Sequence, residues 1–426
     1  MASRGRPRTP ARRSLWIDAL IFIIPCLLFL EVKLIGRLFG SEILLIALLP
    51  ILLLFQGRLL AAPMPRTILL LGLLWLSALV ATDLYRDTPF ADYSRGWSKV
   101  TFLMFNFAAL YMLLANSRRR LVVFAMGMVA GGLIKHVVNP DIFAQTSSGA
   151  WKFGLAVPIT MLLVLGAQRG FERNTPRAVA LFLFFAAGLN LIQDFRSLAG
   201  ICFVTAIFLF IQTRQSRPGG RLSRTRLAVI AVIGVIGAVG FLEFYGFAAR
   251  DGMLGVKAQQ KYEIQASSKY GVLLGGRREV LIAIRAIIDS PIIGHGSWAK
   301  DVEYVNMLQE MSGLSVLQRA MVRVVNPGLG IIPSHSHLFG AWVEAGVLGG
   351  LFWAYVLWLT ARVLLYLSQM REVLTPLIAF IAFNLLWDIV FSPFGGERRL
   401  LMPYFIIVMM FAWNVIIATR HAQTAG

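Results

Sequence analysis

Charged residues are scarce in this chain. Of its 426 residues, 15% are charged and 58% are hydrophobic, whereas soluble domains have roughly a quarter of their residues charged and about half of them apolar. Length alone would suggest two or three soluble domains. Long apolar runs recur from one end to the other, however, and they need a non-aqueous solvent. The composition therefore predicts one membrane domain with one inserted loop region.

Acids are the scarcer of the two charges. The 21 acidic residues against 41 Lys and Arg give a formal net charge of +20, an excess that can indicate a nucleic-acid partner. Here the cations lie in short clusters between apolar spans, which is the positive-inside pattern of membrane proteins. We therefore expect contact with membrane lipids and no nucleic acid. Most of the cations are Arg, which is well suited to bidentate phosphate contacts.

Cysteine is nearly absent, and several motifs are missing. Cys26 and Cys202 lie far apart in apolar spans, which argues against a disulfide, and no Cys/His cluster has metal-binding spacing. We expect no metal and no cofactor. There is no G-x-x-x-x-G-K-S/T loop for ATP, no D-x-D pair in an outer loop, and no Gly-x-Ser-x-Gly elbow. The basic N-terminus precedes a long apolar run without a convincing cleavage site, which predicts an uncleaved first span.

Twelve apolar segments are candidates for membrane spans, because a span needs about 20 mostly apolar residues. Connections that follow even-numbered spans are rich in Arg and nearly free of acid, whereas the odd-numbered connections hold nearly all the loop acids. The positive-inside rule places the Arg-rich connections and both termini in the cytoplasm. The segments lie near 15–32, 41–57, 67–82, 98–116, 120–138, 151–168, 177–193, 197–212, 227–247, 336–364, 374–391 and 400–419.

One outer connection, at 248–334, is much longer than the others. It holds a helical pattern over 277–289, Gly/Pro punctuation over 290–296 and a second helix-like piece over 301–323. Loops of this length are usually functional or separately folded. The predicted fold class is an all-α polytopic membrane protein with about 12 transmembrane helices and one large helical periplasmic loop. Its predicted parts are spans one to nine with the basic N-terminus (1–247), the large loop (248–334) and spans ten to twelve (335–426).

Three arginines of the outer connections are suited to bind an anion. Arg196 lies in a very short outer turn, where the alternative to a phosphate clamp is a snorkelling interfacial arginine. Arg277 and Arg278 open the helix of the long loop, where guanidinium groups and unpaired backbone N–H groups both favour anions. Cations are otherwise unfavourable at that end of a helix, so stability alone does not explain the pair. A surface ion pair with a nearby acid is the alternative.

Two histidines lie where the long loop re-enters the membrane. A histidine titrates near neutrality and can accept a proton or donate a hydrogen bond. On a helix His335 and His337 would point to different sides, so only one is expected to face a site. His337 and Glu344 would share a face, and ionisable groups inside a membrane are usually functional. A satisfied interfacial histidine is the alternative.

Lys99 and Lys135 lie at the outer ends of the fourth and fifth predicted spans. Together they would extend a cationic rim around the same region. Taken singly, each is more typical of a membrane anchor than of a ligand.

The stretch around the two histidines resembles a family signature. His335 and Ser336, followed by nine residues and Gly346, are similar to the pattern of the O-antigen ligase and O-antigen polymerase family, in which His is followed by Asn, Ser or Gln, nine residues and Gly. The Glu two residues before that Gly recurs as Glu344. By this spacing the family histidine corresponds to His335. His337 occupies a position that is usually not His, which leaves open which of the two acts.

Two further stretches resemble the same family, in the family's order. Residues 195–200 are similar to its Ser-Arg-Gly-Ala turn, with Phe195 in place of the Ser and Ser197 in place of the Gly. Residues 276–296 resemble its Arg, helix and Pro-Leu-x-Gly-x-Gly stretch, with Leu281 where Trp is common. The layout of spans fits the whole chain.

The resemblance implies a GT-C-like fold and glycan transfer at the periplasmic face of the bacterial inner membrane. The donor would be an O-antigen polysaccharide on undecaprenyl diphosphate, and the acceptor a sugar hydroxyl of lipid A–core. The reaction would be metal-independent and would invert the anomeric carbon by direct attack. The implied catalytic group is His335 or His337. The implied diphosphate ligands are Arg196, Arg277, Arg278 and Lys99, with Glu344 and Lys135 in supporting roles.

Three other functions compete with this one. An O-antigen polymerase would use the same donor, but such polymerases tend to have two sizeable outer loops, and here only 248–334 is large. A protein O-oligosaccharyltransferase would differ in its acceptor. A lipid or polysaccharide transporter should show repeat symmetry between the two halves of the chain, and no such symmetry is found.

Overall fold

The computed structural model describes most of the chain in one helical bundle. The described residues are 12–33, 36–114, 117–146, 149–172, 176–213, 243–253, 255–256, 259, 262–263, 277–311, 330–367 and 373–424. Most of the ninth predicted span, near 227–247, lies outside them, as does the part of the second helix-like piece beyond 311. Each of the other predicted spans falls on a helix.

Thirteen α-helices with defined bounds and one small hairpin lie within these residues. The helices are α1 (Arg12–Cys26), α2 (Gly40–Gln56), α3 (Pro63–Tyr85), α4 (Phe90–Leu114), α5 (Arg118–Val138), α6 (Ala156–Glu172), α7 (Pro176–Ile192), α8 (Arg196–Thr213), α9 (Arg278–Asp289), α10 (Val302–Met311), α11 (His337–Leu367), α12 (Thr375–Phe391) and α13 (Arg398–Thr424). The antiparallel strands β1 (Glu31–Lys33) and β2 (Arg37–Phe39) join α1 to α2. A π-helical turn, Trp151–Leu155, precedes α6.

Seven helices of the described chain are long and apolar enough to cross a membrane. The protein is therefore an all-α, membrane-embedded protein, as its composition indicates. The count of twelve spans and the GT-C-like arrangement stay predictions. The seven are Gly40–Ala61, Pro63–Tyr85, Phe90–Leu114, Arg118–Val138, Trp151–Gln168, His337–Leu367 and Arg398–His421.

The centre of the bundle is α13, which packs against α4, α11 and α12. Every residue over 402–413 is buried, because the helix is apolar on all sides and has neighbours on each. At its N-terminal end Arg399 lies 2.8 Å from the carboxylate of Glu42 on α2. Asn106 of α4 donates to the backbone carbonyl of Arg399 over 2.9 Å. A buried ion pair of this kind depends on such added hydrogen bonds.

The odd-numbered connections meet at one end of the bundle, here named the loop end. Arg37 of β2 lies 3.3 Å from Asp141, which follows α5. The ammonium of Lys135 lies 3.4 Å from Glu31 of β1 and also pairs with Glu397, just before α13. The opposite end, here named the basic end, contains the connections around 57–62 and 117–120. Which side of a membrane each end faces stays a prediction.

The described part of the long loop forms a small helical unit on the loop end. The predicted helix over 277–289 is confirmed as α9, and α10 packs against it. Ile282 and Ala286 of α9 share an apolar cluster with Tyr304 of α10 and with Val343 of α11. The loop therefore has a core of its own that continues into the membrane bundle.

Candidate functional site

The first residue of the site is the cap of α11. The hydroxyl of Ser336 accepts a hydrogen bond from the backbone N–H of Phe339 over 3.0 Å, which satisfies one of the free donors at a helix start. The same hydroxyl donates to the carbonyl of Ile389 in α12 over 2.8 Å. The Ser that follows His335 thus starts one helix and ties it to the end of another.

His337 is a core residue. Its side chain is fully buried, and its Nδ1 atom lies 2.5 Å from the carbonyl oxygen of Ser392. The ring packs against Trp353 and Phe394, with centroid distances of 4.7 and 5.3 Å. Among the described residues its Nε2 atom has no hydrogen-bond partner. A substrate could reach this ring only if the aromatic packing opened.

His335, in contrast, is exposed at the loop end. Within the described chain its ring makes no hydrogen bond or ion pair. It precedes the cap Ser336 by one residue, so the capped helix start fixes where it lies. Of the two histidines that the sequence leaves open, His335 is the one that a ligand can reach.

The turn over 290–296 docks on α11 at a break in that helix. The backbone of Gly346 has φ +64° and ψ −162°, a conformation that residues with a side chain rarely adopt. The N–H of Val347 donates to the carbonyl of Pro291 over 3.0 Å, and the N–H of Gly296 donates to the carbonyl of Glu344 over 3.0 Å. A Cβ atom on Gly346 would lie 1.8 Å from the carbonyl oxygen of Ile292. The glycine is therefore required for the loop to dock.

The other side of the same turn is held by the C-terminal end of α3 and by Arg86, which follows it. Thr82 donates to the carbonyl of Ile293 over 2.6 Å, and Arg86 donates to the carbonyl of Gly294 over 2.9 Å. The carboxylate of Asp83 accepts hydrogen bonds from both the N–H and the hydroxyl of Ser297, each over 2.6 Å. The turn is thus clamped between α11 and the end of α3.

Arg277 lies at the start of α9 and reaches the end of α12. Its Nη1 atom donates to the carbonyl of Phe391 over 3.1 Å, and its guanidinium lies 5.2 Å from the centre of the Trp387 ring. Phe391 directly precedes Ser392, whose carbonyl holds His337. Because these carbonyls form the negative end of the α12 dipole, they attract cations and N–H donors. Arg277 and His337 therefore contact consecutive carbonyl groups.

Arg196 is the first residue of α8 and is partly exposed. Its Nε atom lies 3.6 Å from Asp194, and its guanidinium lies 4.7 Å from the centre of the Tyr245 ring. Burial is the main cause that lowers the pKa of Arg277; Glu279 acts to raise it, and the charge of Arg196 lowers it further. An anion that bound both guanidinium groups would relieve the repulsion between their charges.

Two charged residues of this region were not singled out from the sequence. Asp388, in α12, is 4% exposed, and its carboxylate lies 2.7 Å from Nη1 of Arg398. The charges of Asp388 and Arg398 both interact electrostatically with His337. The charge of Asp388 also interacts with Arg277. An acid inside an otherwise apolar span is a signal of function, and it could have identified Asp388.

Three predicted cations are engaged elsewhere. Lys99 lies 2.5 Å from Glu344, and the guanidinium of Arg278 donates to the carbonyl of Met311 over 3.0 Å. Lys135 is surrounded by the carboxylates of the loop end described above. The assignment of Lys99 and Arg278 to a diphosphate, and of Glu344 and Lys135 to supporting roles, stays a prediction.

A cavity of about 350 Å³ lies beside this cluster, between α5, α6 and the start of α13. Arg398 forms part of its wall and at the same time pairs with Asp388. Met128 and Val157 are among its apolar lining residues. The lining therefore combines charged and apolar side chains. Its charged lining residues are Arg37, Lys135, Asp141, Lys152, Glu397 and Arg398.

Within the described residues, no group of three or more His, Cys, Asp and Glu side chains is arranged to hold a metal ion. No family model, no curated protein and no solved structure matches this chain.

Proposed function

We propose that the protein is a glycosyltransferase that uses a lipid-linked diphosphate donor, as the resemblance to the O-antigen ligase family implies. The observation that carries the proposal is the convergence at the end of α12. Residues 389–392 provide carbonyl groups to Arg277 and to both residues that follow His335. Arg196 lies within electrostatic reach of Arg277. Arg277 and the start of α11 thus converge on the end of α12, and the accessible His335 directly precedes that helix start.

The diphosphate side of the reaction is assigned to the two arginines. The bond between the anomeric carbon and the diphosphate oxygen breaks, and its electron pair leaves with undecaprenyl diphosphate. Charge develops on the leaving oxygens, and guanidinium groups held in fixed positions stabilise it. Arg277 is fixed by Phe391 and Trp387, and Arg196 by Asp194 and Tyr245. Because both guanidinium groups are already held in position, they need little reorganisation as charge develops on the diphosphate, which supports their role.

The acceptor side is assigned to His335. A hydroxyl oxygen of the acceptor sugar attacks the anomeric carbon directly, and its proton passes to the imidazole. Direct attack inverts the anomeric carbon. Exposure of His335 supports this role, whereas the burial of His337 favours a structural one. In this proposal the loop end faces the periplasm of a bacterial inner membrane, and the acceptor is lipid A–core.

A purified assay with lipid-linked donor and lipid A–core acceptor tests the proposal. We expect Arg277→Gln, Arg196→Gln and His335→Ala each to lower transfer by about 100-fold or more. Arg285→Gln is the matched control, because Arg285 lies on the same α9 helix, exposed and paired with Asp289. Transfer should persist in EDTA. Full transfer by all three variants would reject the site.

The same assay separates the alternatives by acceptor. Transfer to a growing glycan would identify a polymerase, and transfer to a peptide or protein would identify a protein O-oligosaccharyltransferase. A transporter would move the donor across proteoliposomes without forming any glycosidic bond. Lipopolysaccharide from a deletion strain gives a second readout: loss of a ligase leaves core without O-chain, whereas loss of a polymerase leaves core capped with single repeats.

A further inference from the structure

Five side chains towards the basic end, three aromatic rings and two arginines, form one connected stack. Trp358, Arg362 and Tyr366 follow one another at four-residue spacing on α11, so they lie on one side of the helix. The guanidinium of Arg362 lies 4.6 Å from the centre of the Trp358 ring and 4.4 Å from that of Trp413 on α13. Tyr366 packs against Trp413 at 5.9 Å, and Arg420 lies 4.2 Å from the Tyr366 ring. The stack joins α11 to α13.

The guanidinium of Arg362 lies over two rings, those of Trp358 and Trp413. Cation–π attraction does not use its N–H groups as hydrogen-bond donors, and the guanidinium has five of them. Among the described residues Arg362 donates no hydrogen bond and forms no ion pair. It is only half-exposed, so donors left without a partner in this environment are costly. The arrangement favours an acceptor with two oxygen atoms that take hydrogen bonds from the same guanidinium, as a phosphate group does.

The stack lies near a membrane surface. Arg362 follows the break at Gly346 by about 16 residues of α11, a rise of roughly 24 Å. Arg420, at the other end of the stack, follows Arg399 by about 21 residues of α13, a rise of roughly 32 Å, which is about the thickness of the hydrocarbon core of a bilayer. The stack therefore reaches the opposite surface from the candidate site. Trp and Tyr side chains are typical of this headgroup level. Trp358 is 49% exposed and Leu365 is 44% exposed, which leaves an apolar surface beside the guanidinium for an acyl chain.

We propose that Arg362, held between Trp358 and Trp413, is a binding site for the phosphate group of an anionic phospholipid in the leaflet at the basic end. The phosphate oxygens accept hydrogen bonds from the N–H groups of the guanidinium, and the acyl chains lie along the exposed faces of Trp358 and Leu365. Basic pockets between membrane helices bind lipid headgroups in this way. A snorkelling arginine would need only water around its guanidinium, and it would not need two aromatic rings in contact with it.

Native mass spectrometry of the full chain in detergent, titrated with phosphatidylglycerol, tests the site. We expect Arg362→Gln to weaken lipid binding by about tenfold, because a charge-assisted pair of hydrogen bonds is lost. Arg362→Lys keeps the positive charge on a side chain of similar length. An ammonium group does not donate two hydrogen bonds in one plane as a guanidinium does, so the lipid binding of this variant should also weaken. Arg58→Gln is the matched control, since Arg58 is exposed at the same end and lacks the two rings.

The outcomes are distinct. Weaker binding by both Arg362 variants, with normal binding by Arg58→Gln, supports the proposal. If inorganic phosphate displaces the lipid from wild type but not from Arg362→Gln, phosphate binding at Arg362 is supported, and the bound phosphate comes from a soluble anion. Equal lipid binding by wild type and both Arg362 variants overturns the proposal. An equal loss in Arg58→Gln overturns it as well, because surface charge alone would then explain the binding.

Discussion

The ammonium of Lys99 lies 2.5 Å from the carboxylate of Glu344, although the two residues are 245 positions apart in the chain. Both side chains are largely buried, with 12% and 15% of their surface exposed. Glu344 directly precedes the break in α11, and its own carbonyl accepts a hydrogen bond from Gly296. The pair therefore joins α4 to the point where the long loop docks on α11.

The first prediction concerns this pair. We expect Lys99→Met or Glu344→Gln alone to lower the free energy of unfolding by about 3 kcal/mol, because each leaves a buried charge without its partner. The double variant should lose less than the sum of the two single variants. Denaturant unfolding in micelles measures the cycle. Strictly additive losses would mean that the two groups do not interact.

The second prediction concerns the break in α11. Gly346→Ala forces a side chain into a positive-φ conformation, which costs about 1 to 3 kcal/mol, and its Cβ meets the carbonyl of Ile292. We expect faster proteolysis within the 290–300 segment and a lower melting temperature. Gly188→Ala is the control, because a Cβ there meets nothing within 4 Å. Gly188→Ala should be neutral or slightly stabilising. Equal protease resistance in both variants would contradict the docking.

The third prediction concerns the pH response of Arg277→Lys. Burial lowers the pKa of Arg277, and the same burial should bring a lysine well below its ordinary pKa of about 10.4. Transfer by Arg277→Lys should therefore fall as the pH rises between about 8 and 10, while wild type stays flat. The free energy of unfolding of the variant should rise over the same range, because its unfolded state binds more protons. Activity and stability profiles that move together would contradict this account.

The fourth prediction concerns Tyr304. Its hydroxyl donates to Asp289 over 2.8 Å; burial and this hydrogen bond raise the pKa of Tyr304 above its ordinary value. We expect Tyr304→Phe to lower the free energy of unfolding by about 1 kcal/mol below pH 10. A group with a raised pKa loses its contribution as the pH rises above its unfolded value, so the difference between the proteins should shrink by about pH 11. Chemical unfolding at both pH values measures it; a difference that grows with pH would contradict the assignment.

The helices follow from apolar runs because each run must satisfy its backbone internally in a membrane. The residues of the candidate site are harder to predict from the sequence than the helices are. The sequence indicates that only one of His335 and His337 faces a ligand, but the choice depends on Trp353 and Phe394, which contact His337 only in the folded bundle. Periodicity along one segment cannot identify neighbours contributed by distant segments.

Charge pairing shows the same limit. Lys99 looks available when it is considered with its neighbours in sequence, whereas its partner Glu344 belongs to a different helix. In the sequence Asp388 stands out only as a single acid in an apolar run, because the cation that pairs with it, Arg398, belongs to the next helix. The spacing of His335 and Gly346, in contrast, is local, and the break at Gly346 gives that spacing a physical reason.

The ion pair between Glu42 and Arg399 has a consequence for biosynthesis. Its two members are separated by 357 residues, and ribosomes add about 5 to 20 residues per second, so Glu42 is made roughly 20 to 70 s before its partner. During that interval α2 must sit in the lipid, or in the insertion machinery, with a carboxylate that has no cation. Closure of the bundle is thus a late event that waits for translation of α13, and nascent chains shorter than this should be preferred substrates of membrane quality-control proteases.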